Sequence, residues 1–132
     1  QQFIEYFGDL RNKYINVVQL GEKPVQKLLL ESSLMITDYS SVSFDFNYMS
    51  KPIIFYHFDQ DRFFANGILR PIEETFLGDI CKTEDEIVDA IEYYLKKDFK
   101  EKTEVAQKKY LIFDHIDQEN CSRIYDEIIK YV

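Results

Sequence analysis

Two short apolar runs constrain this chain more than anything else in it. Leu34-Met35-Ile36, running into Thr37-Asp38, and Ile53-Ile54-Phe55-Tyr56 are brief and apolar on both faces, as strands buried inside a parallel sheet should be. Between them Val42, Phe46 and Met49 recur at helical spacing behind Ser40-Ser41, which can cap a helix. Lys51-Pro52 ends that helix and opens the second strand. Strands that alternate with helices imply an α/β domain built on a parallel sheet.

The flanking segments extend this pattern. Phe3, Phe7 and Leu10 fall at i, i+4 and i+7, which predicts a short amphipathic helix, and a further strand is expected at about 16–20. Gly21 breaks that strand, and Pro24 suits the first turn of a helix carrying Val25, Leu28 and Leu29 on one face. Residues 59–79 have no clear period and read as loop with one helical turn. Thr83-Glu84-Asp85-Glu86 is a capping box, opening a helix with Ile87, Ile91, Tyr94 and Leu95 inward. Residues 100–110 read as a charged, exposed helix. The last helix, capped by Asp117, is expected to bury Cys121, Ile124, Ile128 and Tyr131. The whole predicts three or four strands in a single domain over residues 1–132.

Composition narrows the function classes. The net charge of −8 repels nucleic acid and anionic lipid, so neither is a default partner. Cys81 and Cys121 lie far apart, with no CxxC and no clustered His, so they read as reduced thiols and no metal site is expected. No stretch approaches the ~18 apolar residues of a membrane span. The start, Gln1-Gln2-Phe3, is neither a signal peptide nor an initiator methionine, so an excised domain lacking upstream parts of its parent is expected. Eleven Phe and ten Tyr must fill the core or face a partner, and Phe55, Tyr56, Phe58, Phe63 and Phe64 could form a lip for a base or a companion domain.

The chemistry is concentrated in Ile36-Thr37-Asp38-Tyr39-Ser40-Ser41-Val42-Ser43-Phe44-Asp45. This stretch packs hydroxyls and two carboxylates into the turn from a strand's carboxyl end to a helix's amino end, where open α/β sheets bind ligands. Free backbone N–H groups at such a turn favour an anion. Ser41 and Asp45 are i, i+4 and share one face, so one helix start can offer a hydroxyl to a phosphate and a carboxylate to a sugar hydroxyl. The plainer alternative is that Ser40 or Ser41 is only an N-cap and Asp45 only a first-turn acid.

Asp38-Tyr39-Ser40-Ser41-Val42, then Phe44-Asp45, then Lys51-Pro52-Ile53-Ile54-Phe55-Tyr56 resembles the signature block of the CDP-glycerol glycerophosphotransferase family. The match is dense over residues 34–58 and weaker over 79–95 and around Asn120-Cys121-Ser122-Arg123. The resemblance implies a Rossmann-like three-layer domain with a parallel sheet, the C-terminal half of a GT-B fold, truncated at its N-terminal side. It implies a transferase moving glycerol phosphate, or ribitol phosphate, from a CDP-linked donor to a lipid-linked, teichoic-acid-type polymer and releasing CMP. The parent would lie at the cytoplasmic face of the membrane, with an N-terminal companion domain supplying the catalytic base and with no cofactor beyond the donor. By position, Thr37, Ser40, Ser41 and Arg123 would contact donor phosphate, Asp45 would hold a polyol hydroxyl, and Asp38 would brace the turn. Arg123 has an alternative role, pairing with a carboxylate that orders its helix.

The chain also departs from the family pattern. Ala65-Asn66-Gly67 and Phe76-Leu77-Gly78 keep the glycines of two family motifs and lose their partners; Arg62 or Arg70 is the candidate replacement cation. His57 reads as a structural or rim histidine, His115 as a solvated loop residue, and the run Lys100-Glu101-Lys102 as a solvated face. A phosphoacceptor receiver is excluded because Lys51-Pro52 precedes a strand instead of following one. A haloacid-dehalogenase-type phosphatase is excluded because Asp38-Tyr39-Ser40 is not Asp-x-Asp. A non-catalytic Rossmann-like module binding a nucleotide-linked sugar or a partner protein remains the rival reading.

Overall fold

A computed structural model describes residues 14–68 and 70–131. The chain divides into two compact units, residues 1–32 and 33–132, each taken here by itself. The helix expected around Phe3, Phe7 and Leu10 lies outside the described residues.

In the first unit, Pro24 at φ −60° precedes α1 (Val25–Glu31), in which Leu29 is the buried residue. The strand expected at about 16–20 does not form. Residues 15–19 have no regular structure and Leu20 sits exposed in a turn. The reason is local: the Gln19 carbonyl accepts from the Glu22 N–H at 3.0 Å, and the Gln19 N–H donates to the Glu22 carboxylate at 2.9 Å. Backbone groups spent on a turn are not available for a strand ladder.

The second unit is built on β1 (Met35–Thr37), β2 (Ile53–Tyr56) and β3 (Asp79–Cys81), in the order β1-β2-β3, all parallel. Ile36 pairs with Ile54, and Phe55 with Ile80. The α/β class and parallel sheet expected from the alternation are therefore present. The central strand is the most buried: Ile53, Ile54 and Phe55 are each at most 1% exposed. Ile54 packs with Cys81 and Tyr94, with Ile87, Ala90 and Ile91 around them; that helix, α5 (Glu84–Lys96), begins at the expected capping box of Thr83 and Glu86. On the other face Phe55 meets Phe76 edge-on at 5.2 Å. Gly78 is needed where the chain enters β3, because a Cβ there would lie 2.4 Å from the Ile53 carbonyl oxygen.

Between β1 and β2 runs α2 (Val42–Tyr48). Its buried face is Ser43, Phe46 and Asn47, turned from the expected Val42/Phe46/Met49 stripe, whose outer members are only half-buried. The turn is permitted because Asn47 donates its amide to the Leu77 carbonyl at 2.9 Å, which satisfies a polar group in the interior. Ser50, at φ 58°, ends the helix in the left-handed region, with the Lys51 N–H returning to the Phe46 carbonyl.

The region read as loop holds two single helical turns, α3 (Gln60–Phe63) and α4 (Ile72–Thr75). Beyond α5, the expected exposed helix is shorter, α6 (Thr103–Lys108) followed by a 3₁₀ turn, and its flanks are not merely solvated. Lys109 is buried, with its ammonium 2.8 Å from the Glu101 carboxylate and 2.8 Å from the Ser50 hydroxyl. Lys102 pairs with Asp79 and lies over the ring of Tyr93 at 4.7 Å. Charge runs alone cannot show partners drawn from distant segments. Leu95, expected inward, is exposed. In α7 (Asn120–Ile128) the expected buried stripe is exposed too: Cys121, Ile124 and Ile128, with Tyr131 beyond the helix. Among the described residues nothing covers that face.

Candidate functional site at the carboxyl end of the first strand

Thr37 ends β1, half-buried and in register with Phe55. The chain then turns sharply. The Asp38 carboxylate accepts the Tyr39 N–H at 2.7 Å, so it closes the turn onto its own backbone. The Ser40 hydroxyl accepts the Val42 N–H at 3.4 Å, a long contact. Ser41 occupies the N-cap position of α2 but in helical geometry (φ −66°, ψ −17°), and its side chain makes no cap. The plainer reading of Ser41 as a capping residue is thereby removed. Asp45, one turn on, is exposed, while Ser43 and Asn47 face the interior. Ser41 and Asp45 thus share the outward face as their spacing predicts.

The turn rests on a stack of rings that sequence reading did not assemble. Tyr39 lies between His57, at 4.3 Å, and Phe63, at 3.6 Å, with Phe64 and Phe76 meeting its edge at 5.5 and 6.0 Å. Its hydroxyl donates to Asp59 at 3.1 Å. Burial, and then the Asp59 carboxylate, push the phenol up to about 12. The signal was present, in an aromatic inside the turn and a Phe pair beyond β2, but only the fold places them together.

His57 follows β2 and is 1% exposed. Its N–H donates to the Cys81 carbonyl at 2.8 Å, and its ring Nε2 lies 3.3 Å from the Asp38 carbonyl oxygen. Burial pulls the imidazole below the ordinary histidine range; the Asp38 carbonyl and the Gln60 side chain act in the opposite direction. Although Gln60 is close enough to favour the charged form, Nδ1 makes no hydrogen bond.

Two hollows flank the stack. One, of about 430 Å³, is lined by Phe63, Phe64, Ile68, Arg70 and Phe76; the Arg70 guanidinium donates to the Leu111 carbonyl at 3.2 Å. The other, of about 250 Å³, is bordered by His57, Asp59, Arg62 and Lys82 beyond the ends of β2 and β3. The candidate replacement cations, Arg62 and Arg70, thus each line one of the two hollows. Among the described residues no three His, Cys, Asp or Glu side chains gather as a metal site would require.

Arg123 is placed differently. It sits in α7 and grips Asp117 with two contacts, at 2.8 and 3.1 Å, and Asn120 with a third. That pairing holds the Asp117 carboxyl down at about 2. Tyr48, the last residue of α2, donates to the Asp117 carbonyl and accepts its N–H, so this cluster is tied to the end of α2 remote from Ser41. Of the two roles open to Arg123, pairing with an ordering carboxylate is the one present here.

Residues 5–130 match the family described as CDP-Glycerol:Poly(glycerophosphate) glycerophosphotransferase. The chain belongs to this glycerophosphotransferase family. It is 31% identical over 105 residues to the minor teichoic acid biosynthesis protein GgaB of Bacillus subtilis (strain 168), covering 80% of this chain and 12% of that protein. It is 28% identical over 108 residues to a teichoic acid poly(ribitol-phosphate) polymerase of Bacillus spizizenii, covering 81% of this chain and 17% of the relative. A teichoic acid glycerol-phosphate transferase of Staphylococcus aureus is 29% identical over 100 residues, covering 66% and 26%. The glycerophosphotransferase-family chain therefore spans between about an eighth and a quarter of the length of these relatives. The turn from Thr37 to Asp45 lies inside the matched region.

Proposed function

We propose that this chain is the donor-binding part of a glycerophosphotransferase that moves glycerol phosphate, or ribitol phosphate, from a CDP carrier to a growing teichoic-acid-type polymer. One observation supports this most directly. In a chain of this family, Ser41 and Asp45 stand exposed and side by side at the carboxyl end of a parallel strand, with the Ser41 hydroxyl not spent on capping. Thr37, Ser40 and Ser41 hold the donor's phosphates through hydroxyl and backbone N–H donors. Asp45 accepts from a hydroxyl of the polyol. Asp38 keeps the turn closed. Arg123 adds a phosphate contact when it exchanges Asp117 for the donor.

In the transfer itself the acceptor hydroxyl oxygen bonds to the donor's β-phosphorus. The bond from that phosphorus to the bridging oxygen breaks, and CMP leaves with the electron pair. The hydroxyl proton passes to a base outside this chain, in the companion domain. The part played by these residues is positioning and neutralising charge as it develops on CMP. The donor supplies the phosphoryl group, so no further cofactor is required. A lipid-linked acceptor puts the parent protein at the inner face of the cell membrane; no helix among the described residues is long and apolar enough to cross one.

Calorimetric titration with CDP-glycerol, CDP-ribitol, CMP and UDP-glucose tests the reading. Cytidine ligands are expected to bind in preference to UDP-glucose, with affinity lowered by Ser41→Ala and by Asp45→Ala. Equal affinity in the two variants and the parent sequence would overturn the assignment of the turn.

A further inference from the structure

We infer that His57 is a positioning residue for the Asp38–Ser41 turn, acting as a neutral imidazole whose Nε2–H holds the Asp38 carbonyl while its face supports the Tyr39 ring. The inference rests on the donor-binding reading for its functional meaning, but its structural basis is independent of it. A backbone carbonyl can only accept, so the 3.3 Å contact from His57 to Asp38 requires the hydrogen on Nε2. Nδ1 is then a lone pair, buried and without a hydrogen bond. Protonation would put a second N–H on this nitrogen, which makes no hydrogen bond, in a buried ring packed against Tyr39 at 4.3 Å and Phe76 at 4.7 Å.

The residue is fastened on its other side, since its own N–H donates to the Cys81 carbonyl. His57 therefore ties the turn after β1 to the end of β3 across the top of β2. The charged groups around it are Asp38 on the turn, Asp59 just before α3, Asp61 and Arg62 on α3, and Lys82 after β3. The nearby carboxylates favour the imidazolium, and burial outweighs them. The sign follows from the lowered proton affinity: the imidazole stays neutral below the ordinary histidine value near 6.5, and the stability this gives is complete above that value and is lost as pH falls through the lowered folded one.

The test uses the two histidines of the chain, His57 and His115, in nitrogen-edited NMR, with amide exchange at Tyr39–Val42 and CDP-glycerol titration as further readouts. The expected His57 signal is the Nε2–H tautomer, still neutral below pH 6.5. His57→Phe keeps a ring in the stack but loses the donor. It should speed exchange across Tyr39–Val42, leave the Ile53–Phe55 amides unchanged, and weaken CDP-glycerol binding about tenfold, the loss of one hydrogen bond. His57→Gln, which can place an N–H near the same carbonyl, should recover most of both effects. An Nδ1–H tautomer, or unchanged exchange at Tyr39–Val42 in His57→Phe, would overturn the inference. If tautomer and exchange behave as expected while the parent sequence binds no cytidine ligand, the lock stands and the donor reading falls.

Discussion

The two ends of α2 treat polar groups in opposite ways. At its amino end Ser41 and Asp45 face solvent, and the side chains that brace the turn, Asp38, Tyr39 and His57, hold backbone and rings in place without covering those two. At its carboxyl end polar groups are spent on one another: Asn47 on Leu77, Lys109 on Ser50 and Glu101, Tyr48 on Asp117, and Asp117 on Arg123. A polar group satisfied inside the protein contributes to stability, while one left exposed beside a rigid turn is free for a ligand. Substitutions at the two ends should therefore separate stability from binding.

The largest effect is expected at Lys109. Lys109→Met leaves the Glu101 carboxylate buried without its cation and should cost about 3–5 kcal/mol in urea unfolding, whereas Lys109→Met with Glu101→Leu should recover most of that loss. Donor affinity of the folded fraction should not change. A cost below about 1 kcal/mol would mean that the pair is solvated and would weaken the contrast.

Next comes the amino end. Asp45→Ala should lower CDP-glycerol affinity about 10–100-fold, the worth of a hydrogen bond to a charged group, and shift the unfolding midpoint by no more than an exposed substitution does, within about 0.5 kcal/mol. A large stability loss without a change in affinity would move Asp45 to the structural end of the comparison.

Asn47→Ala should cost about 1–3 kcal/mol by stranding the buried Leu77 carbonyl and opening a small void. Calorimetric melting reads it, and little or no loss would show that water replaces the amide.

The smallest effect is a pH dependence. Arg123 holds the Asp117 carboxyl at about 2, below its unfolded value near 3.9. Asp117 therefore adds stability that is complete above pH 4 and is lost as pH falls through about 2. Arg123→Ala should return the Asp117 carbon resonance to an ordinary carboxylate titration. If it stays low, the Glu119 N–H that also reaches Asp117 is holding it instead.

Much of this was legible in the residues. Periodicity and capping carry local information, so β1, β2, α2 and the Thr83 capping box could be placed from spacing alone, as could the shared face of Ser41 and Asp45. The signature from Asp38 to Tyr56 pointed to the family before any fold was known. What failed were statements about neighbours. The stretch at 16–20 has strand-forming residues, but the Glu22 contacts turn it. Glu101 and Lys109 look solvated because their partnership, and the Ser50 hydroxyl that joins it, depends on how distant segments meet. The stripe of α7 has the periodicity of a buried helix and stands exposed, since periodicity tells which residues share a face and not what covers it.

By itself, then, the sequence determined the alternation of strands and helices, the turn chemistry between Thr37 and Asp45, and membership of the family, because each is written in residues close together along the chain. Only the tertiary structure decided which polar groups are spent and which are free. It brought His57 and Phe63 to the two sides of Tyr39, gave Lys109 its buried partners, and gave Arg123 to Asp117. Those outcomes depend on contacts between segments far apart in the chain, and their energies are set by burial and partnership, which no single segment carries.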